Sequence, residues 1–182
     1  MTQSAPHRLF VLTGGPGSGK STLIGALAEA GHRTMAEAGR GVIRAQQAIG
    51  GHALPWADRP AFAEQMLGWE MRSHAEALAA GGRVFLDRGV PDVVGYLRLC
   101  GLPVPPATQR AAERFRYAQP VFIAPPWEAI FGPDAERRQG WEEAVRTHAV
   151  MREVYATMGY RLVELPRAPV AERLRFVLEQ TE

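Results

Sequence analysis

Gly14-Gly15-Pro16-Gly17-Ser18-Gly19-Lys20-Ser21 matches G-x-x-x-x-G-K-[ST] at every fixed position. A loop of this kind holds phosphate. The backbone N–H groups of Gly15 to Lys20 would wrap the anion as a nest at a helix N-terminus. The lysine ammonium would reach the β- and γ-phosphates, and the Ser21 hydroxyl would ligate Mg²⁺. Lys20 is the single lysine of the chain, against twenty arginines. A sequence that places arginine almost everywhere else has a chemical reason for lysine here: a compact point charge on a flexible stem suits a phosphate. Gly14 to Thr22, with Pro16 stiffening the turn, is therefore the candidate nucleotide-binding segment.

Asp87 ends a second short apolar run, Val84-Phe85-Leu86-Asp87. An acid at the end of a buried strand is the Walker B arrangement, and it would face the Mg²⁺ beside Ser21. The other reading of Asp87 is a turn residue that caps the next helix. The next residue separates two kinds of chemistry. Many hydrolytic P-loop motors keep a Glu there to polarise water, whereas this chain has Arg88. A guanidinium cannot serve as a base at neutral pH, but it can clamp phosphate oxygens or an acceptor. That points toward phosphoryl transfer. A guanine-selecting Asn-Lys-x-Asp element is absent, since the chain has no Asn and no second Lys.

These residues need elements to position them. Arg8 to Thr13 is a short apolar run, as for a buried parallel strand, and Ser21 to Ala30 reads as a helix stopped by Gly31. Arg33 to Ala36 is a second strand, and Glu37 to Ile49 a helix. Residues 50–58 form a loop. Pro60 opens a long helix, with Phe62, Met66 and Trp69 on one face, ending near Gly81-Gly82. After the strand 84–87 come helices over 91–100 and 107–116, a strand over 120–124, and a helix carrying Trp141, Val145, His148, Tyr155 and Met158 at helical spacing. A strand over 160–165 and a helix over 170–180 close the order. Strands alternating with helices predict an α/β fold: a five-stranded, mostly parallel sheet covered by helices on both faces.

The remaining features are bland. A composition of 46% hydrophobic and 22% charged residues is ordinary for a globular chain, and 182 residues predict one domain with a real core. The net charge is +2 with no long block of like charge, so no nucleic-acid partner is expected. Cys100 is the only cysteine, which excludes an internal disulfide and fits a reducing cytoplasm. No signal peptide or membrane-spanning run is read, and no His/Cys cluster has metal-ligand spacing. The oligomeric state, monomer or homodimer, stays open.

Taken in order, several segments resemble the P-loop kinase group. They are the P-loop, Ala36-Glu37-Ala38-Gly39-Arg40, Phe85-Leu86-Asp87-Arg88-Gly89, Pro125-Pro126-Trp127-Glu128, Asp134-Ala135-Glu136-Arg137-Arg138 and Tyr155-x-x-x-Gly159-Tyr160. Within that group the chain is similar to the AAA-domain family of predicted ATPases and kinases related to the ribosyl-nicotinamide kinase domain. The match runs nearly end to end, though only the P-loop is specific by itself. The resemblance implies a three-layer P-loop NTPase fold of the nucleoside- and nucleotide-kinase kind, with a lid over 126–140. It implies that Asp87 serves metal or base chemistry and Arg88 holds phosphate. Glu37 sits where such kinases place the acid that accepts the hydroxyl proton, and Arg137 and Arg138 where lid arginines neutralise the transferred phosphoryl. An arginine in that role contributes about 4–7 kcal/mol. The turn Pro166 to Pro169 would border the adenine ring.

Each role has a plainer counterpart. Glu37 can be an acid at a helix N-terminus, contributing about 0.3–1 kcal/mol. Arg40 can hold acceptor or pair with Glu37. Arg137 and Arg138 can be a solvated charge run. His52 and Trp56 can stack on a ring or belong to a solvated loop, Pro126-Trp127 can be a packed corner, and His148 reads as a satisfied core histidine. The expectation is a Mg-ATP-dependent kinase acting on a hydroxyl or phosphate of a small, nucleoside-like acceptor. The alternative is a nucleotide-binding switch with slow ATPase or GTPase activity and a protein or lipid partner.

Overall fold

A computed structural model describes residues 8–132 and 140–181. In chain order the strands are β1 (Leu9–Gly14), β2 (Arg33–Met35), β3 (Val84–Asp87), β4 (Pro120–Ala124) and β5 (Arg161–Glu164). The helices are α1 (Lys20–Glu29), α2 (Ala38–Ile49), α3 (Arg59–Ala80), α4 (Val90–Leu99), α5 (Pro106–Arg114), α6 (Trp141–Thr157) and α7 (Val170–Glu179). The strands form one sheet in the order β2-β3-β1-β4-β5, and all four neighbouring pairs are parallel.

The pleat of β1 explains the three layers. Phe10 and Leu12 point to one face and pack with Leu23 and Leu27 of α1 and Val177 of α7. Leu9 and Val11 point to the other and pack with Ala77 of α3 and Tyr155 of α6. Each of these large side chains contributes about 1.5–3 kcal/mol by burial, which is why the central strand reads as a continuous apolar run. α4 docks on the second layer through Val90 and Val94, which share a cluster with Val154 of α6.

Local signals start and stop the helices where expected. Asp58 Oδ1 accepts from Ala61 N at 2.9 Å, and Pro60 occupies the first turn of α3. On α6 the apolar spacing picked the wrong centre. Its buried positions are Ala144, Thr147, Met151, Val154 and Tyr155, while Val145 is exposed. Small and polar residues at 144 and 147 hid the inner face, because α6 packs closely against the P-loop. His148 is half-buried rather than core, and its Nε2 has no hydrogen-bond partner.

Because β1 lies between β3 and β4, the C-terminal strand ends open onto one crevice. Residues following all five strands reach it: Pro16 to Thr22 after β1, Glu37 after β2, Arg88 after β3, Trp127 after β4, and Ala168 and Pro169 after β5. No described helix is long and apolar enough to cross a membrane.

Candidate active site

The P-loop is built by close backbone packing. A Cβ on Gly14 would lie 2.5 Å from the Ala124 carbonyl oxygen of β4, and one on Gly15 only 2.3 Å from that of Ala144 in α6. Gly14 and Gly15 are thus spent on approach to neighbouring backbone, and the cavity wall begins at Pro16 and runs through Thr22. Lys20 is buried, and its Nζ donates to Gly15 O at 2.6 Å and to Ser18 Oγ at 3.2 Å, bridging the loop. Ser18 Oγ in turn donates to Gly15 O at 2.8 Å. Arg173 of α7 braces the same loop from outside the motif, with Nη1 donating to Ser18 O at 2.9 Å.

Asp87 sits behind Ser21 rather than on the cavity wall, and Ser21 Oγ donates to Asp87 Oδ2 at 3.3 Å. Asp87 Oδ1 is buried with no hydrogen-bond partner. A hydroxyl beside an orphaned carboxylate oxygen suits a hard cation that takes its other ligands from phosphate and water. No group of three or more His, Cys, Asp or Glu residues among the described residues could hold a metal by itself.

Arg88 follows with φ of 78°, in the left-handed region that a bulky side chain adopts only when its surroundings enforce it. Its N–H donates to Leu12 O at 3.0 Å, and the turn swings the guanidinium into the crevice. There Nε donates to Glu37 Oε1 at 3.0 Å, while Nη1 donates to Gly14 O at 3.2 Å and Asp92 Oδ1 at 3.0 Å. Glu37 also accepts from Arg40 Nε at 3.1 Å. Arg88 therefore ties together the C-terminal ends of β1, β2 and β3.

Asp92, in the first turn of α4, is the hub that sequence reasoning missed. Besides Arg88, it accepts from Thr13 Oγ1 at 2.6 Å, Tyr155 Oη at 2.6 Å and Gly89 N at 3.1 Å. Its signal was the i,i+4 spacing from Arg88 on the strand–helix turn. Glu70 was missed too. It is a buried carboxyl on α3, two turns after Phe62 and one after Met66.

The charges in this cluster shift one another. Burial pulls Lys20 down to about 8, and Arg88 adds to the effect. Burial, then the charge on Glu37, raises Asp87 to about 6. For Glu37, burial pushes upward, but Arg88, Lys20 and Arg40 together hold it below the ordinary value. Burial opposes charge on Arg88, yet Glu37, Asp92 and Asp87 outweigh it and keep the guanidinium charged. Burial drives Glu70 well above the usual carboxylate range, and Asp92 reinforces it. Two neighbouring acids with oppositely shifted affinities are the pattern of a site that assigns different tasks to each.

Lys20, Ser21, Glu37, Arg40, Glu70, Arg88 and Asp92 line one cavity of about 680 Å³. Beyond the P-loop, one end is walled by Trp127, Ile130, Pro169 and Arg173. The other end, past Glu37 and Arg40, is walled by Phe62, Met66, Tyr96 and Met151. Pro55 is the part of loop 50–58 that reaches it; His52 and Trp56 are not on the wall. Arg137 and Arg138 lie outside the described residues.

Comparisons with known proteins agree with this geometry. Among solved structures, a NadR protein in complex with NAD and AMP-PNP superposes with a TM-score of 0.72 at 18% identity, covering 96% of this chain and 49% of that one. The chain thus spans about half the length of that protein. Thymidylate kinase from Ehrlichia chaffeensis gives a TM-score of 0.67 at 13% identity, with coverages of 96% and 98%. Deoxyadenosine kinase from M. mycoides with bound dATP gives 0.62 at 13% identity, again with coverages of 96% and 98%. No curated protein matches the chain at a significant level. At these identities the likeness is one of fold. The family model described as AAA domain matches residues 9–173, and the chain belongs to that family.

Proposed function

We propose that this protein transfers the γ-phosphoryl group of Mg-ATP to a hydroxyl of a small, nucleoside-like acceptor. The observation that carries the reading is the two-ended cavity. A phosphate-holding loop and a wall carrying Phe62, Met66, Tyr96 and Met151 line the same space, together with the paired Glu37 and Arg88. A nucleotide-binding site that only exchanged or hydrolysed nucleotide would have no use for the second compartment. Its size suits a nucleotide and a small acceptor together.

In this reading ATP lies with its base between Trp127 and the Pro169 turn, and its phosphates on residues 16–22. Ser21 and Asp87 would hold Mg²⁺, which would supply charge neutralisation for the phosphates. Lys20 leaves its carbonyl bond to Gly15 for the phosphates, and their charge restores its full protonation. Glu37, kept ionised by Arg88, Arg40 and Lys20, accepts a hydrogen bond from the acceptor hydroxyl and takes its proton. A weak base suffices because the transition state is loose, and the protein contributes chiefly alignment and charge. Arg137 and Arg138 are assigned charge neutralisation on the transferred group on the strength of the family resemblance. The surroundings are the soluble, reducing cytoplasm that the single Cys100 suits.

The test is an ATP-consumption screen over nucleosides, nucleotides, vitamins and antibiotics, with wild type and Lys20→Ala. One acceptor should raise turnover well above the water-only rate, and Lys20→Ala should abolish it without unfolding. Turnover that no acceptor stimulates would favour the switch, and stimulated turnover retained in Lys20→Ala would refute the mechanism.

A further inference from the structure

Four carboxyl groups cluster around the site, and three have partners within the protein. Glu37 is held by Arg88 and Arg40, Asp87 by Ser21, and Asp92 by four donors. Glu70 differs. It is 4% exposed, it lines the cavity, and no hydrogen bond or ion pair joins it to any described residue. Its carboxyl lines the cavity, so a donor entering the cavity can pair with it.

The surroundings define that group. Phe62, Met66 and Glu70 follow one another at four-residue spacing along one face of α3 and line the same wall. Phe62 meets Tyr96 edge to face, with centroids 5.4 Å apart, and Met151 and Val93 complete the apolar surface. Aromatic edges and thioethers around a slot suit a flat ring. The wall also carries Arg40, Arg59 and Arg146 beside the acids, so the charge around the compartment is mixed.

We propose that Glu70 is a specificity-determining residue of the acceptor compartment, receiving a ring or exocyclic N–H, so that the acceptor is a flat heterocycle carrying a hydrogen-bond donor. This rests on the reading of that compartment as the acceptor site. A polar group built to pair with a substrate donor rejects the analogue lacking it, because the protein group is then left unpaired.

The experiment is isothermal titration of matched nucleosides against wild type, Glu70→Gln and Glu70→Leu. The probes are adenosine, cytidine and uridine, beside N6,N6-dimethyladenosine, N4,N4-dimethylcytidine and 3-methyluridine. At least one donor-bearing nucleoside should bind wild type about tenfold or more tighter than its methylated counterpart. Glu70→Gln keeps a carbonyl acceptor and should keep part of the preference. Glu70→Leu should erase it, with ATP affinity unchanged and a melting temperature equal to or above wild type. The proposal is overturned if no probe binds, if methylated and unmethylated probes bind alike, or if the preference survives Glu70→Leu. A lower melting temperature together with lost ATP binding in Glu70→Leu would show a structural role and also overturn it. Acceptor-stimulated ATP consumption, measured on the same samples, separates the two readings. Donor-selective binding without transfer sinks the kinase and leaves the Glu70 subsite; transfer indifferent to Glu70→Leu does the reverse.

Discussion

Asp87→Asn should change stability and metal response in opposite directions. In the folded protein the Asp87 carboxyl titrates at about 6, against 3.8 for the free group, because it is buried and faces the charge of Glu37. A raised acid means that the folded state holds the proton more tightly than the unfolded one, so stability falls as pH rises from 3.8 and the loss is complete above about 6. The rise from 3.8 to about 6 corresponds to at most about 3 kcal/mol at pH 7.5. Asn keeps an oxygen for the Ser21 hydroxyl and removes the charge. The value of about 6 already includes the attraction to Lys20 and Arg88, so the gain is up to about 3 kcal/mol, or a rise of up to about 9 °C in melting temperature. The assay is thermal unfolding from pH 4.5 to 8 without Mg²⁺, then at pH 7.5 with Mg-ATP. Without metal, Asp87→Asn should be the more stable protein above pH 6, and the difference should shrink as pH falls from 6 toward 4. With Mg-ATP the order should reverse, since wild type gains ligand stabilisation that Asn cannot give. A metal-free variant less stable than wild type at pH 7.5, or a difference flat in pH, would refute the reasoning.

The other predictions follow from the same contacts. Gly15→Ala puts a methyl 2.3 Å from the Ala144 carbonyl, so it should cost more than about 2 kcal/mol in denaturant melts and abolish nucleotide binding. Gly25→Ala on the exposed side of α1 meets nothing within 4 Å and should instead stabilise by about 0.5–1 kcal/mol. Asp92→Ala leaves Arg88 and three other donors short of a partner and should destabilise by about 3–5 kcal/mol, whereas Tyr155→Phe should cost only about 1 kcal/mol. Because Lys20 titrates at about 8 and a bound phosphate raises it, nucleotide binding at pH 8.5 should take up protons. Titrations in buffers of differing ionisation enthalpy read this directly, and equal heats after buffer correction would contradict it.

Much of the fold was legible because its signals are local. β3 and β4 have the boundaries read from their apolar runs, and Gly31 stops α1 with φ of 85°. The P-loop was legible because its chemistry needs fixed residue types at contiguous positions. Elsewhere the signal was weaker. Asp92, Glu70 and Arg173 are single polar residues inside helices, and nothing in their neighbours marks them as buried. The inner face of α6 was misread because Ala144 and Thr147 are too small or too polar to register as core, yet close approach to Gly15 is what demands them.

The sequence by itself determined the alternation of strands and helices, the phosphate loop, and the pairing of Ser21 with an acid at the end of β3. Each depends on contiguous residues and short-range periodicity. Only the tertiary structure decided what Arg88 does and what faces the second compartment. The guanidinium meets Glu37, Gly14 and Asp92 because parallel strands distant in sequence end side by side. Glu70 is buried on the cavity wall through contacts between elements distant in sequence, which no spacing along the chain encodes.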